Sequence, residues 1–166
     1  MKELNKFYKN KKILITGHTG FKGSWLAALL HLLGSKIHGV SLGVKKNSHY
    51  KHLGINKKIK NKNLDIRNFN KLNHHIQLVK PDIIFHLAAQ ALVKTSYENP
   101  ISTWTTNVIG TLNLIESIKL LKKKCIVVIV TSDKCYLNKE KTAGYKENDE
   151  LGGYDPYSNS KGCAEL

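Results

Sequence analysis

The chain has 166 residues, 41% of them hydrophobic, and a formal net charge of +15 from 27 Lys and Arg against 12 Asp and Glu. This suffices for one globular domain with a buried core, and no apolar run is long enough for a signal peptide or a membrane span. The three cysteines lack a C-x-x-C spacing and the eight histidines lack partners at ligand spacing, so we predict no disulfide framework and no metal site. We expect a cytoplasmic protein without a membrane partner.

The positive charge raises the hypothesis of a nucleic-acid partner, because clustered Lys and Arg release counterions from phosphate backbones. The lysines, however, occur in short groups, such as residues 57–62 and 122–124, without interleaved aromatic residues or a recognition helix. We therefore predict no nucleic-acid partner, although the charge favours anionic ligands in general.

Strands and helices alternate along the chain, which predicts an α/β fold with a parallel, doubly wound sheet of Rossmann type. In chain order, the apolar patterns predict a strand at 12–16, a helix at 21–33, a strand at 36–42, a short helix near 49–53, a strand around 63–66 and a helix at 69–79. They then predict a strand at 82–89, a helix at 101–121, a strand at 125–130 and a last helix that begins at Asp155 or Pro156.

The last predicted helix is followed by no further strand, whereas a doubly wound sheet normally continues beyond its fifth strand. We therefore predict one incomplete Rossmann domain over residues 1–166, truncated after about five strands. A bare, apolar fifth strand at the sheet edge would make such a chain prone to aggregate.

The first strand and the first helix are joined by a glycine-rich segment, Gly17-His18-Thr19-Gly20-Phe21-Lys22-Gly23. Glycines at such a turn let the backbone approach a pyrophosphate, whose charge the helix N-terminus attracts. A glycine-rich turn that is needed only for tight packing would have the same sequence pattern. Residues 40–43, at the end of the second strand, carry no carboxylate for an adenosine ribose, and Lys45 and Lys46 lie nearby. The residues alone therefore leave the choice between NAD and NADP open.

Further candidate residues follow the other strands, at the sheet edge where open α/β folds bind their ligands. The third predicted strand ends with a carboxylate that could meet an adenine and with its neighbour, and the fourth ends with small residues beside which a cofactor can pass: Asp65, Ile66, Leu87, Ala88, Ala89 and Gln90. A hydroxyl, an acid and an amine follow the fifth strand at Ser132, Asp133 and Lys134.

Tyr157 and Lys161 have the spacing Y-x-x-x-K, which places both residues on one face of the last helix. An ammonium beside a phenol favours the phenolate, so Tyr157 is a candidate base near neutral pH. By itself the spacing is common, and a packed tyrosine with a surface lysine would produce it too.

Taken together, these segments resemble the extended short-chain dehydrogenase/reductase family. The resemblance rests on residues 17–23, 87–90, 107–111 and 157–161, and the strings 18–26, 131–136 and 151–157 are similar to its sugar-nucleotide 4,6-dehydratases. It implies NAD as cofactor, with Asn107 among the residues that contact it, and a nucleotide sugar, CDP-glucose, as substrate.

The resemblance also implies a role for each catalytic residue. Tyr157 would take the proton of the sugar C4 hydroxyl, Lys161 would hold the nicotinamide ribose, and Ser132 would bond the C4 oxygen. Asp133 would protonate the leaving C6 hydroxyl. Lys134 occupies the place where dTDP-glucose relatives have a glutamate that removes the C5 proton, so the identity of that base stays open.

Three alternatives remain at this point. Another member of the same family, a GDP-mannose dehydratase or a sugar-nucleotide epimerase, comes first, although an epimerase does not need Asp133 and Lys134. An inactive nucleotide-binding fragment is second, and a nucleic-acid binder is third. The resemblance further implies that the chain lacks a substrate domain and is nearly inactive alone, and that the full-length form is a homo-oligomer.

Overall fold

The computed structural model describes residues 2–166. Its helices are α1 (Lys2–Tyr8), α2 (Phe21–Leu32), α3 (His49–His52), α4 (Phe69–Val79), α5 (Val93–Glu98), α6 (Pro100–Trp104), α7 (Gly110–Lys119) and α8 (Pro156–Glu165). Its strands are β1 (Lys12–Thr16), β2 (Lys36–Ser41), β3 (Lys60–Asn63), β4 (Ile83–His86) and β5 (Ile126–Ile129). A π-helical segment, Thr105–Ile109, connects α6 with α7, and short 3-10 turns lie at Ile55–Lys57 and Asp133–Cys135.

The five strands form one parallel sheet in the order β3-β2-β1-β4-β5. Ile13 of β1 lies opposite Ile37 of β2 and Ile83 of β4, so the central strand is paired along both edges. Each pair of parallel strands needs a crossover, and the helices supply it. The order reverses at β1, which is the doubly wound arrangement, and the predicted Rossmann-type fold is confirmed.

Helices cover both faces of the sheet, which explains why β1 is a continuous apolar run. Ile13 and Ile15 point to the cluster that contains Leu30 of α2 and Tyr50 of α3. Leu14, between them, points to the opposite cluster, which includes Leu72 and Ile76 of α4 and Leu114 of α7. Because side chains alternate between the two faces of a strand, β1 contributes residues to two separate hydrophobic cores.

The chain forms two compact units. The first reaches Ala88 and includes Asn113–Val130, and it contains the sheet. The second comprises Ala89–Leu112 and Thr131–Leu166, and it contains α5, α6 and α8. That the chain is one incomplete Rossmann domain stays a prediction.

Several predicted boundaries were wrong. The third strand is Lys60–Asn63 rather than 63–66, because this edge strand pairs only with β2 and exposes all four of its polar side chains. The apolar residues that suggested the strand, Leu64 and Ile66, are buried just after it. The strand expected at 82–89 is limited to Ile83–His86, and the helix expected at 101–121 is α6, the π segment and α7. Helices α1 and α5 were not predicted.

Candidate active site

The glycine segment of the first unit is a tightly packed turn. Gly17 has φ +74°, a conformation that favours glycine, and a Cβ there would lie 2.7 Å from the backbone nitrogen of Ala88. Gly20 donates its N–H to the Gly17 carbonyl at 3.0 Å, and a Cβ on Gly23 would overlap that same carbonyl. Gly17 and Gly23 are therefore required for close packing, whatever the segment binds, whereas a Cβ on Gly20 would lie 3.3 Å from the Gly17 carbonyl oxygen.

Helix α2 begins directly at this turn without a side-chain cap. The first-turn amides of any helix have no intrahelical partner, and Gly20, the N-cap residue, has no side chain that could accept a hydrogen bond from them. Phe21 and Lys22 are exposed, whereas Gly23 is buried. Thr19 donates its hydroxyl to the Gly43 carbonyl at 2.9 Å, which ties the turn to the loop after β2. An uncapped helix start with small residues and a nearby lysine suits a pyrophosphate, and so these residues fit a dinucleotide.

His18, at the second position of the segment, points into the protein, and motif reasoning missed its network. Its Nε2 lies 2.7 Å from Oδ1 of Asn61, to which the Tyr50 hydroxyl also donates at 2.6 Å. Burial lowers the pKa of His18, although the Asn61 hydrogen bond and then the Val40 carbonyl oppose that shift. The ring occupies the space above Gly39. A glycine in the middle of a strand was the one sequence signal for this close approach.

Asp65 and Ile66 lie beyond β3 and not at its end, where they were predicted, while a role of Asp65 beside an adenine stays a prediction. The Asp65 carboxylate accepts from Arg67 Nη2 at 2.6 Å and from the Arg67 backbone N–H at 2.9 Å. These hydrogen bonds, with the charge of Arg67, lower the pKa of Asp65. Ile66 is buried, and its carbonyl accepts from the Asn113 amide at 3.0 Å. Asp65 is thus an ionised, oriented carboxylate already paired with an arginine.

Leu87 and Ala88 continue from β4 beside the end of β1. Leu87 donates its N–H to the Thr16 carbonyl at 3.1 Å, and Ala88 donates to the Thr16 hydroxyl at 3.2 Å. That hydroxyl also lies 2.7 Å from Nδ1 of His86. The backbone of Leu87 and Ala88 comes so close to Gly17 that only a residue without a side chain fits there.

In the second unit, Asn107 joins the segment after β4 to helix α8. Its Oδ1 accepts from the Gln90 N–H at 2.8 Å, while its Nδ2 donates to the Gln90 carbonyl at 3.0 Å and to the Ser160 hydroxyl at 2.9 Å. Gln90 in turn donates from Nε2 to Thr103 at 2.9 Å, and Ala89 before it is half-buried. The amide of Asn107 is thus fully engaged within the protein, and the contact of this residue with the cofactor stays a prediction. Asn107 lies in the π-helical segment, a rare feature that often marks functional sites.

Tyr157 and Lys161 lie in α8, as predicted, and both are buried. The helix starts at Pro156, and its N-cap Asp155 accepts from the Ser158 N–H at 2.9 Å. Ser160 donates to the Tyr157 carbonyl at 2.7 Å, so the Asn107 bond reaches the turn that contains the tyrosine. Burial lowers the pKa of Lys161, and the nearby Cys135 thiol raises it in part.

Ser132, Asp133 and Lys134 form one locked turn. Ser132 is the N-cap of the 3-10 turn: its hydroxyl accepts from the Lys134 N–H at 3.2 Å and donates to Asp133 Oδ1 at 3.0 Å. Asp133 and Lys134 are exposed, whereas Cys135 after them is buried. The structure therefore presents an acid and an ammonium to solvent on a rigid turn, within the unit that holds Tyr157 and Lys161.

Residues 14–166 match the sequence model of the family described as GDP-mannose 4,6 dehydratase. The chain belongs to that family. The resemblance to extended short-chain dehydrogenases/reductases is thereby confirmed. CDP-glucose 4,6-dehydratase of Salmonella typhimurium is 49% identical over 161 residues, which are 96% of this chain and 45% of the relative.

Solved structures of epimerases share the fold. Epimerase Mth375 from Methanothermobacter thermautotrophicus superposes with a TM-score of 0.83 at 23% identity, over 98% of this chain and 47% of that one. UDP-glucose 4-epimerase from Brucella ovis in complex with NAD has a TM-score of 0.75 at 24% identity, over 93% of this chain and 46% of that one. The chain spans about half the length of the relatives it matches.

Two further observations apply to residues 2–166. No three His, Cys, Asp or Glu side chains in this part of the chain are grouped as metal ligands would be. Among the helices described there, none has both the length and the apolar character needed to cross a membrane.

Proposed function

We propose that this chain supplies the cofactor-binding and catalytic part of a CDP-glucose 4,6-dehydratase, which forms CDP-4-dehydro-6-deoxyglucose by transient reduction of NAD. The observation that carries the proposal is the joint presence, in one compact unit, of the Ser132-Asp133-Lys134 turn and the Tyr157–Lys161 pair. The 49% identity to a CDP-glucose 4,6-dehydratase supports the choice of substrate.

The first unit would bind the cofactor through the first-turn amides of α2, which suit a pyrophosphate. NAD, when bound, would accept a hydride from the sugar C4 and later return it to C6. We expect the chain to bind NAD more tightly than NADP, a preference that rests on the family and not on an acidic residue after β2. Calorimetric titration of both cofactors measures it, and tighter binding of NADP would refute it.

The second unit would carry out the proton transfers. Tyr157 would accept the C4 hydroxyl proton, and Lys161, one turn later in α8, would hold the nicotinamide ribose. The Ser132 hydroxyl, which donates to Asp133, would turn to bond the C4 oxygen. Oxidation at C4 makes the C5 proton acidic. After its removal, the C6 hydroxyl would leave as water with a proton from Asp133.

Lys134 would act electrostatically in this scheme. As an exposed ammonium on a fixed turn, it would stabilise the enolate oxygen at C4, while another group or water removes the C5 proton. Lys134→Met should therefore lower elimination by about 10²-fold while C4 oxidation survives. Reduced cofactor should then accumulate on the enzyme. Lys94→Met, which removes an exposed lysine elsewhere in the same unit, is the matched control.

A chimera tests the activity, because the chain covers only part of its relatives. It would join residues 1–166 to the remaining portion of the Salmonella typhimurium enzyme. The chimera should convert CDP-glucose to the 4-keto-6-deoxy product, and the 166-residue chain alone should be nearly inactive. An epimerised sugar that keeps its C6 hydroxyl would place the chain with the epimerases. If Lys134→Met abolished the NADH absorbance as well as elimination, the electrostatic role would be wrong.

A further inference from the structure

The segment from Tyr136 to Leu151, the 136–151 loop, leaves the Asp133–Cys135 turn and returns just before α8. Its two ends meet, because Tyr136 and Leu151 form an antiparallel bridge and Leu137 donates its N–H to the Glu150 carbonyl at 2.9 Å. Gly152 then donates to the Cys135 carbonyl at 2.8 Å. A compact loop with adjoining ends is of the Ω type, which is frequently functional.

The base of this loop is bonded to both parts of the candidate catalytic set. On one side, Tyr136 donates its N–H to the Asp133 carbonyl at 3.2 Å. On the other side, Gly153 and Asn159 are joined by two hydrogen bonds, of 3.3 Å and 2.8 Å. A Cβ on Gly153 would overlap the Ser158 side chain. The loop base therefore connects the Lys134 turn with the first turns of α8, where Tyr157 lies.

Helix α8 is also held at a second point, farther along its axis. A Cβ on Gly162 would lie 3.4 Å from the Cys135 carbonyl oxygen, so the helix packs directly on the turn there. This contact secures the part of α8 beyond Lys161. The Tyr157 end is held from two sides: by the Asn107–Ser160 hydrogen bond, and by the residues that precede the helix, which belong to the loop base.

Tyr145 connects the tip of the loop to this base. Its ring stacks on Tyr136 with centroids 5.2 Å apart and an angle of 18°, and the Lys141 ammonium lies 4.5 Å from the ring centroid. Its hydroxyl accepts from the Lys139 N–H at 2.9 Å. Two ion pairs, Lys141 with Asp149 and Lys139 with Glu150, link the two limbs of the loop. Solvent-accessible ion pairs contribute little individually, so the stacked ring is the principal side-chain contact between the tip and the hydrogen-bonded base of the loop.

We propose that the 136–151 loop is a positioning element for the catalytic residues and that the ring of Tyr145 keeps it closed. The roles of Lys134 and Tyr157 in this statement rest on the proposed function. Loop closure fixes the Tyr157 end of α8 relative to the Lys134 turn, and a misplacement of about 1 Å between reacting groups can lower a rate 10²-fold. Tyr145 acts through these residues and contacts no reacting atom itself.

Hydrogen exchange of the full 166-residue chain, followed by mass spectrometry, tests the closure. Tyr145→Ala should speed exchange about tenfold at residues 136–137 and 152–158, while the strands of the sheet keep the wild-type rate. Tyr145→Phe, which retains the ring, should stay near the wild type. Tyr97→Ala, which removes an exposed tyrosine of the same unit, is the matched control and should change nothing.

Kinetic measurements on the chimera distinguish a positioning role of Tyr145 from a purely structural one. Tyr145→Ala should lower kcat about tenfold with KM within twofold, and Tyr145→Phe should restore most of kcat. An unchanged exchange rate at residues 152–158 in Tyr145→Ala would overturn the proposal. So would a Tyr145→Phe variant whose exchange is as fast as that of Tyr145→Ala. If Tyr145→Ala destabilised the sheet too, Tyr145→Leu would be judged by the same criterion. A wild-type chimera without dehydratase activity would sink the proposed function but leave the exchange result standing.

Discussion

Gly39 is the position where adding one methyl group tests the packing beneath the glycine segment. A Cβ on Gly39 would lie 2.5 Å from Cγ and Nε2 of His18, about 1 Å inside ordinary contact. The ring must shift, and its 2.7 Å hydrogen bond to Asn61 would lengthen or break. Overpacking costs about 1–3 kcal/mol and the lost hydrogen bond about 1 kcal/mol, whereas replacing glycine in a strand returns about 0.5–1 kcal/mol. We expect Gly39→Ala to destabilise the chain by about 1–3.5 kcal/mol.

Urea unfolding followed by circular dichroism measures this change. Gly144→Ala is the control, because a Cβ at Gly144 meets nothing within 4 Å, and it should stay within about 0.5 kcal/mol of the wild type. In a His18→Ala background, Gly39→Ala should cost less than about 0.5 kcal/mol, since the obstructing ring is gone. Equal stabilities of Gly39→Ala and Gly144→Ala would refute the reasoning, and so would an undiminished cost in the His18→Ala background.

Three further predictions concern other parts of the chain. Asp82 accepts from the Lys123 ammonium at 2.6 Å and the Lys12 N–H at 2.8 Å, and these bonds lower its pKa. The ionised Asp82 carboxylate should therefore add to the free energy of unfolding above about pH 4, and this stabilisation should vanish as the pH falls through the folded-state pKa. Asp82→Asn should destabilise the chain at pH 7 and not in strong acid. A difference that does not depend on pH would contradict this. Asn107→Ala should cost about 2–3 kcal/mol in thermal unfolding, because it leaves Gln90 and Ser160 without their partner. Asn107→Asp should cost at least as much, because a buried carboxylate oxygen would then face the Gln90 carbonyl in place of the donating Nδ2; wild-type stability of Asn107→Asp would argue against these hydrogen bonds. Val128 is 41% exposed on edge strand β5, so Val128→Lys should reduce aggregation in light scattering, whereas Lys94→Met should not; unchanged aggregation would show that this edge is not responsible.

The fold was largely predictable because its signals are local. The glycine turn, the apolar β1 and the helix periodicity of α4 each predicted an element at its observed place. The start of α8 at Pro156 was also predicted, since a proline after Asp155 is a typical helix beginning. Strand β3 was misplaced because an exposed polar edge strand carries no apolar pattern, and its place is decided by hydrogen bonds to β2.

The sequence by itself determined which chemical groups are available: the glycine turn, the Ser132-Asp133-Lys134 string and the Tyr157–Lys161 pair. Tertiary structure alone decided how these groups are held. Asn61 forms a hydrogen bond with His18, Asn107 connects Gln90 with Ser160, and Tyr145 stacks on Tyr136. The reason is physical: a motif records a backbone conformation or a spacing within one segment, whereas a hydrogen bond between distant side chains depends on the path of the chain that brings them together.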